Sequence, residues 1–388
     1  MPLPTYRVQR GLTLADVPAP AWDALLQQQD APTPFMQHAY LNALERSACV
    51  APETGWTPAH VALWDGTHLL AACPLYFKTH SYGEYVFDWA WARAYQQHGL
   101  SYYPKALVAV PFTPVPGARL LARDDASRLA LAQEVLALCQ EVGVSSLHVL
   151  FASDADMRAC AAAGWLSRQT VQFHWHNAGY ADFDAFLQQL RQDKRKKIRQ
   201  ERRRVHEAGV RFRVVQGHEI SAQDWDFFHR CYVNTYLAHG NPPYLNRPFF
   251  EALQRDHADH WVLFVAEREG RDVASSLIGV QGLGTEASVA YGRYWGALEP
   301  LDSVHFEACY YQPLQWCIAH RVQRFEGGAQ GEHKMARALL PVTTHSAHWL
   351  AHPAFADAVD AFLSREREGM ADYVQALEAH TPFKAPTA

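Results

Sequence analysis

Residues Glu326 to Thr344 of this 388-residue chain read EGGAQGEHKMARALLPVTT. Gly327, Gly328 and Gly331 surround Gln330, and Glu332, His333 and Lys334 follow in direct succession, with Arg337 and Pro341 close behind. A carboxylate, an imidazole and an amine placed together supply a fixed charge and two groups able to take a proton. Glycines let backbone approach a ligand or adopt positive φ. Arg321 to Phe325 reads as a short strand before this segment, and Met335 to Leu340 as one or two helical turns after it. A strand, a glycine-rich polar turn and a helix in sequence present N–H groups and side chains to a substrate. The competing reading is a solvated loop whose glycines only turn the chain.

Other groups of reactive residues recur along the chain. Asp88, with Trp89, Trp91 and Tyr95, is an acid among aromatics; it reads as a binder of a cation, a base, or a buried acid bonded to backbone. Tyr102, Tyr103 and Lys105 follow it. In the second half, Tyr291, Arg293 and Tyr294 end a strand, and His305, Glu307, Tyr310 and Tyr311 lie on the next helix. At three- and four-residue spacing, Glu307 and the two tyrosines face one cleft with Lys334, or the tyrosines are core. His345, His348 and His352 have metal-ligand spacing only if helical, and no paired carboxylate or Cys completes them; no metal is expected. Arg191 to Arg204 reads RQDKRKKIRQERRR, nine cations against two acids. Lys194, Lys197 and Glu201 line one stripe, Arg195, Arg199, Arg202 and Arg203 another, and Ile198 and Val205 a narrow buried seam. The run is a solvated helix face or a patch for polyanions such as RNA phosphates, a pyrophosphate or a membrane surface. Opposite charge is nearly absent within it.

The frame around these residues is ordinary. A net charge of −5 and 49% hydrophobic residues exclude a disordered chain or a global nucleic-acid binder. Seven cysteines at irregular spacing, with no CxxC, exclude a disulfide framework and a structural zinc site. No signal peptide or membrane-spanning apolar run is read, so a cytoplasmic location is expected. The length predicts two domains. Strand, acidic-Gly turn, long strand, aromatic-ended strand, helix and strand occur twice: His60–Trp64, Leu69–Lys78, Glu84–Trp89, Ser127–Val142 and Ser146–Phe151, then His260–Arg268, Asp272–Gly282, Ala287–Tyr294, His305–His320 and Arg321–Glu326. Such self-similarity predicts a tandem repeat of one α/β domain, with residues 1–178 and 179–378 as the two copies. The second opens on a helix over 183–207, and residues 379–388 form a frayed tail.

Several blocks carry a resemblance. Phe186 to Val214 resembles the lead into the second domain of FemABX-type aminoacyltransferases. Tyr82 to Trp91, Tyr102 to Leu121, Leu301 to Gln312 and Glu326 to Trp349 resemble the FemAB-like group associated with peptidoglycan biosynthesis and recognition. The resemblance covers most of the chain. It implies an α/β fold of two tandem GNAT-like domains, mixed sheets flanked by helices, with a cleft between them. It also implies acyl transfer from an activated carrier, aminoacyl-tRNA or acyl-CoA, to an amine acceptor, with no tightly bound cofactor. On that basis Lys334 stabilises the oxyanion, Glu332 or His333 takes the proton, and Gln330, Gly328, Gly331 and Arg337 position the donor. Asp88, Trp91, Tyr103, Lys105, Arg293, His305, Glu307 and Tyr311 join the substrate site; Lys194, Arg195, Lys197, Arg199 and Arg202 dock the polyanion. The Q/R-x-x-G-x-G/A run that holds pyrophosphate in CoA-dependent members is absent from Tyr102–Pro116 and Trp295–Leu301. The expected activity is therefore an acyl or aminoacyl transferase acting on a primary amine, with cell-wall precursor modification as its setting. An acyl-CoA-dependent N-acetyltransferase and a non-catalytic peptidoglycan- or RNA-recognition module are the alternatives.

Overall fold

The computed structural model describes residues 6–329 and 331–384. The chain divides into two units: residues up to 170 with 343–372, and residues 171–342 with 373 onward. In chain order the first contains β1 (Arg7–Leu12), α1 (Ala19–Gln27), α2 (His38–Arg46), β2 (Trp56–Pro58), β3 (His60–Asp65), β4 (His68–Cys73), β5 (Leu75–Lys78), α3 (Trp89–Gln97), β6 (Lys105–Val108), β7 (Leu121–Ala122), α4 (Asp125–Val142), β8 (Ser146–Ala152) and α5 (Asp154–Ala162). After β9 (Leu166–His176) come α6 (Phe183–Gln189), α7 (Gln192–Glu207), β10 (Val210–Gln216), α8 (Ala222–Ala238), α9 (Arg247–Asp256), β11 (Trp261–Arg268), β12 (Arg271–Gln281) and β13 (Val289–Ala297). Then follow α10 (Val304–Phe306), a π-helical segment Glu307–Tyr311, α11 (Gln312–Ala319), β14 (Arg324–Glu326), a 3-10 turn Glu332–Arg337, β15 (Leu340–Leu350) and α12 (Pro353–Ala379).

Local chemistry sets many of these boundaries. The Asp124 carboxylate accepts from the Ser127 N–H at 2.7 Å and starts α4, which ends at Gly143 with φ +76°. Ser221 and Asp224 form a capping box at the start of α8. Pro74 has no N–H to donate, and the long strand expected over Leu69–Lys78 is divided there into β4 and β5.

Among the described residues each unit has a parallel strand pair joined through a helix. In the first, β6 and β8 are parallel with α4 between them, and β5 and β15 flank the pair antiparallel. A separate antiparallel sheet runs β1-β3-β4-β7. Val61, Leu63, Leu131, Val135, Leu147 and Val149 share the core. In the second unit β10 to β13 form an antiparallel meander, and β14 lies parallel to β13 after the α10–α11 crossing. β9 pairs with β14. Phe173, Phe186, Ile198, Ile278, Leu314 and Phe325 share that core.

Four further expectations change. Glu84–Trp89 is not a strand: Glu84 and Asp88 turn inward to a buried lysine, and α3 begins at Trp89. The helix expected over 183–207 breaks at Leu190, whose backbone is extended and which bridges to Phe383. The Arg191 N–H donates to Pro382 O and Lys384 N–H to Gln189 O, so the tail is tied down through 384; residues 385–388 lie outside the described residues. Residues 343–372, read as part of the second half, belong to the first unit, because β15 completes the sheet beside β8.

Helix α8 lies hard against β13. A Cβ on Gly296 would sit 2.0 Å from the Cys231 carbonyl oxygen, a backbone atom that cannot move aside. Gly296→Ala is expected to cost about 1–3 kcal/mol or more, read as a lower urea midpoint. An unchanged midpoint would show that α8 does not pack on β13 there.

Candidate functional site

In the second unit the parallel strands β13 and β14 pair at only three positions, ending at Tyr291 opposite Glu326. Beyond them β13 continues to Ala297, while the other chain turns away at Gly327. The strands therefore fork. Ile278 pairs with Gly292 and Leu277 with Tyr294, so Arg293 is the extra residue of a β-bulge directly after the fork. Its guanidinium lies 4.9 Å from the Tyr294 ring. Glycines permit the closeness: a Cβ on Gly327 would fall 2.4 Å from Leu339 and 3.1 Å from Phe173 O, and one on Gly292 3.2 Å from Phe325. The sequence reading expected close backbone approach or positive φ at the glycines of the turn; at Gly327 the close approach is to protein atoms, Leu339 and Phe173 O.

The turn after the fork carries Lys334. It is 4% exposed, not a surface lysine, and its Nζ donates to Gly328 O at 3.0 Å and Ala329 O at 2.8 Å. Burial pulls its pKa down to about 8. Arg337, one turn on, is also buried. Its Nη2 donates to both Glu201 oxygens at 3.1 Å, its Nη1 to His333 O at 2.9 Å, and the guanidinium lies 3.7 Å from the Phe306 ring. Tyr311 OH donates to the same Glu201. Arg337 thus ties the turn to α7.

Glu332 and His333 stand on the same turn. Both are exposed; Glu332 accepts from Tyr373 OH at 2.7 Å, and the His333 ring lies 3.1 Å from Tyr310 OH. Partial burial and the Lys334 and Arg337 charges hold His333 below the ordinary imidazole range. His305 is pushed down to about 4 by burial and by His333, Arg337 and Lys334. Gly328 and Gly331 have φ +76° and +118°. Gln330 lies outside the described residues.

Glu307 opens the π-helical segment, a helix irregularity common at functional sites. One of its oxygens accepts from Arg202 and Gln312; the other is buried without a hydrogen-bond partner among the described residues. Arg202 therefore turns inward. Arg199 is 3.6 Å from Asp184, Arg204 3.3 Å from Asp302 and Lys194 3.2 Å from Asp193. The helix was read as almost without counter-charge; elements distant in sequence supply much of it. Arg195 and Lys197 form no ion pair among the described residues. Glu201, read as part of an outer stripe, is 6% exposed and faces the turn. Arg199, Arg202, Phe183, Asp184 and Gln315 line a groove of about 510 Å³.

Asp88, Trp91, Tyr103 and Lys105 lie in the first unit, in a buried polar cluster. Lys78 and Lys105 face each other directly across β5 and β6, a like-charge pairing that needs counter-ions. Lys105 Nζ bonds Asp88, Glu84 at 2.7 Å and Ser81 at 2.8 Å, and Tyr103 OH lies 2.9 Å from Ser81. Tyr102 OH donates to Asp88 and lies 3.1 Å from His148 Nε2. His148 and His348 meet at 2.7 Å, with Trp91 packed on both rings. His348 sits on β15, not on a helix, and no metal-holding group of ligands occurs among the described residues. Burial raises Asp88, but Lys105 overcomes it and holds the carboxyl down to about 2. Burial drives Glu84 up to about 7, Lys78 down to about 7 and His148 down to about 3. Sequence reading missed Lys78, Glu84 and His148; lysines inside two apolar strands were the available signal.

Six cysteines are buried and all seven are free. No helix among the described residues is long and apolar enough to cross a membrane. A family model described as peptidoglycan biosynthesis/recognition, FemAB-like, matches residues 13–385. The chain belongs to the FemAB-like family. No curated protein matches this FemAB-like chain. Among solved structures it is similar to FemX, at 9% identity over 91% of this chain and 100% of that one, TM-score 0.55. It is similar as well to the C-terminal domain of a candidate lysylphosphatidylglycerol synthetase from Agrobacterium fabrum (11%, 90% and 97%, TM-score 0.55). L-PGS from Bacillus licheniformis follows (12%, 89% and 97%, TM-score 0.51). These likenesses show the fold: α/β, with mixed sheets and helices.

The buried histidines give the FemAB-like protein a pH signature. Below about pH 6.5 the unfolded chain protonates His148 and His348 while the folded one resists, so the unfolded state binds more protons. Stability should fall as pH drops from about 6.5 towards 3, by up to about 1.4 kcal/mol per pH unit per histidine. His148→Gln should flatten the profile of urea midpoint against pH; an unchanged slope would remove His148 as a source.

Proposed function

We propose that this FemAB-like protein transfers an acyl or aminoacyl group from an activated carrier to a primary amine, with a cell-wall precursor peptide as the acceptor class. The observation that carries this reading is Lys334: a buried ammonium held by two loop carbonyls beside the fork. When an amine attacks an ester or thioester carbonyl, negative charge develops on the carbonyl oxygen. A fixed cation in a water-poor site stabilises that charge far more than it would in water. The family description and the likeness in fold to FemX support the setting.

Glu332 and His333 brace the turn in this reading, Glu332 accepting from Tyr373 OH and the His333 ring lying beside Tyr310 OH. The carrier docks on the outer face of α7 through Lys194, Arg195, Lys197 and Arg199. Arg202 is assigned a different part, since it secures Glu307.

Lys334→Ala should lower turnover by about 10–1,000-fold while leaving donor affinity in place. Because the charged lysine is required, wild-type activity should decline as pH rises through about 8. Near-normal turnover in the variant would end the assignment.

The carrier is tested by binding of charged tRNA and of an acyl-CoA panel over a salt series. With tRNA as carrier, binding should weaken steeply with salt, and the triple variant Arg195→Glu, Lys197→Glu, Arg199→Glu should lose it while remaining folded. Tight, salt-tolerant acyl-CoA binding that survives the triple change would instead make the protein a CoA-dependent N-acyltransferase.

A further inference from the structure

We propose that Glu326 is the group that takes the proton from the attacking amine, a catalytic role that rests on the transferase reading above. Its position comes first. Glu326 is the last residue of β14 to pair with β13, opposite Tyr291, so it stands where the parallel strands separate. Two residues on, Gly328 O accepts from the Lys334 ammonium. One short segment thus carries both the carboxylate and an anchor of the cation.

Its hydrogen bonding is lopsided in the way a base requires. Arg324 fixes Oε1 from two sides, Nε at 3.0 Å and Nη2 at 2.9 Å. Oε2 is buried and has no hydrogen-bond partner among the described residues. His174 Nε2 lies 3.9 Å from it, and is itself 3.3 Å from Gln172 Oε1. A carboxylate oriented by an arginine through one oxygen, with the other oxygen left over, has the geometry of a held general base. A buried carboxylate oxygen without a partner is otherwise costly.

The electrostatics agree. Burial drives the Glu326 carboxyl up to about 7 against the pull of Arg324. His174 is driven down to about 3 by burial and by Arg324, His176 and Lys334, so it is neutral and does not compete as a cation. Tyr291, its pKa raised by burial and by Glu326, stays a phenol. An acid titrating near the working pH is the efficient base for amine chemistry. Glu332 and His333 are exposed and occupied elsewhere.

In the step, the neutral amine attacks the carbonyl carbon and a C–N bond forms. The resulting ammonium gives one proton to Glu326 Oε2. Collapse of the tetrahedral centre breaks the C–O bond of an ester carrier or the C–S bond of a thioester. Glu326 returns the proton to the leaving oxygen or sulfur, and the carboxylate is restored.

The test is the pH–rate profile of transfer, with charged tRNA or acyl-CoA as donor and a lysine-containing cell-wall peptide as acceptor. Wild type should show an acidic limb near pH 7. E326Q should turn over about 100–10,000-fold more slowly, lack that limb and keep the donor Kd. If E326Q does not fold, E326D is read instead: it should keep the limb at a reduced rate. A wild-type chain that transfers while the folded Glu326 variant matches it in rate and profile overturns this assignment alone. Transfer by wild type with none of the donors overturns the transferase reading and this role with it.

Discussion

The candidate site of the second unit depends on the double hydrogen bond from Arg337 to Glu201. The helix that carries it is the most basic run of the chain, yet its one buried acid faces inward and receives both Arg337 and the Tyr311 hydroxyl. Removing one partner of such a buried pair leaves an uncompensated charge, at a cost of about 3–5 kcal/mol. The contact also fixes position. Arg337 holds the His333 carbonyl and stacks on Phe306, so the turn bearing Lys334 is attached to α7, to the α10–α11 crossing before it and to itself. Arg202, the next residue on the helix, secures Glu307 on the π-helical segment. α7 therefore presents cations outward and braces the site inward. A 3-10 turn of six residues has little stability of its own; its geometry is borrowed from these contacts.

The first unit solves a similar problem differently. Two lysines opposed across neighbouring strands would repel, and neither is exposed. Glu84 and Asp88 are drawn inward, which keeps 84–88 out of the sheet and places the start of α3. Here ionic demand overrides strand propensity.

That distinction explains which features were legible in the sequence. α4 and α8 were readable because side-chain caps at Asp124 and Ser221, and periodic apolar residues, act within a few positions. The β10–β13 meander was readable from alternation and acidic-Gly turns. Glu84–Trp89 was misread because its partner lies about 20 residues away. The break at Leu190 was missed because its cause is Phe383. Within the site, the glycines and Lys334 stood out as a local cluster. Glu201 was taken for a surface acid and Glu326 for the end of a strand, since Arg337 and the fork exist only once the chain is folded.

The repeated architecture bears on where chemistry can occur. Both units place a helical crossing between two parallel strands, but the spaces beyond the pairing differ. In the first unit Gly117 bridges in parallel to Ala152, and the fully buried Arg119 fills in behind, its Nε on Leu150 O at 3.0 Å and its N–H on Asp156 at 2.7 Å. The sheet there is continued by backbone and plugged by a side chain. In the second unit the corresponding space is bordered by Gly292, Gly327 and Gly328, positions where Cβ atoms would collide or where φ is positive. A buried cation and a buried carboxylate lie at its edge. The glycines there let Leu339, Phe173 and Phe325 pack directly against the backbone. The chemistry proposed above lies in the second unit; in the first, Lys105 binds one oxygen each of Glu84 and Asp88, and their other oxygens are buried without a hydrogen-bond partner among the described residues.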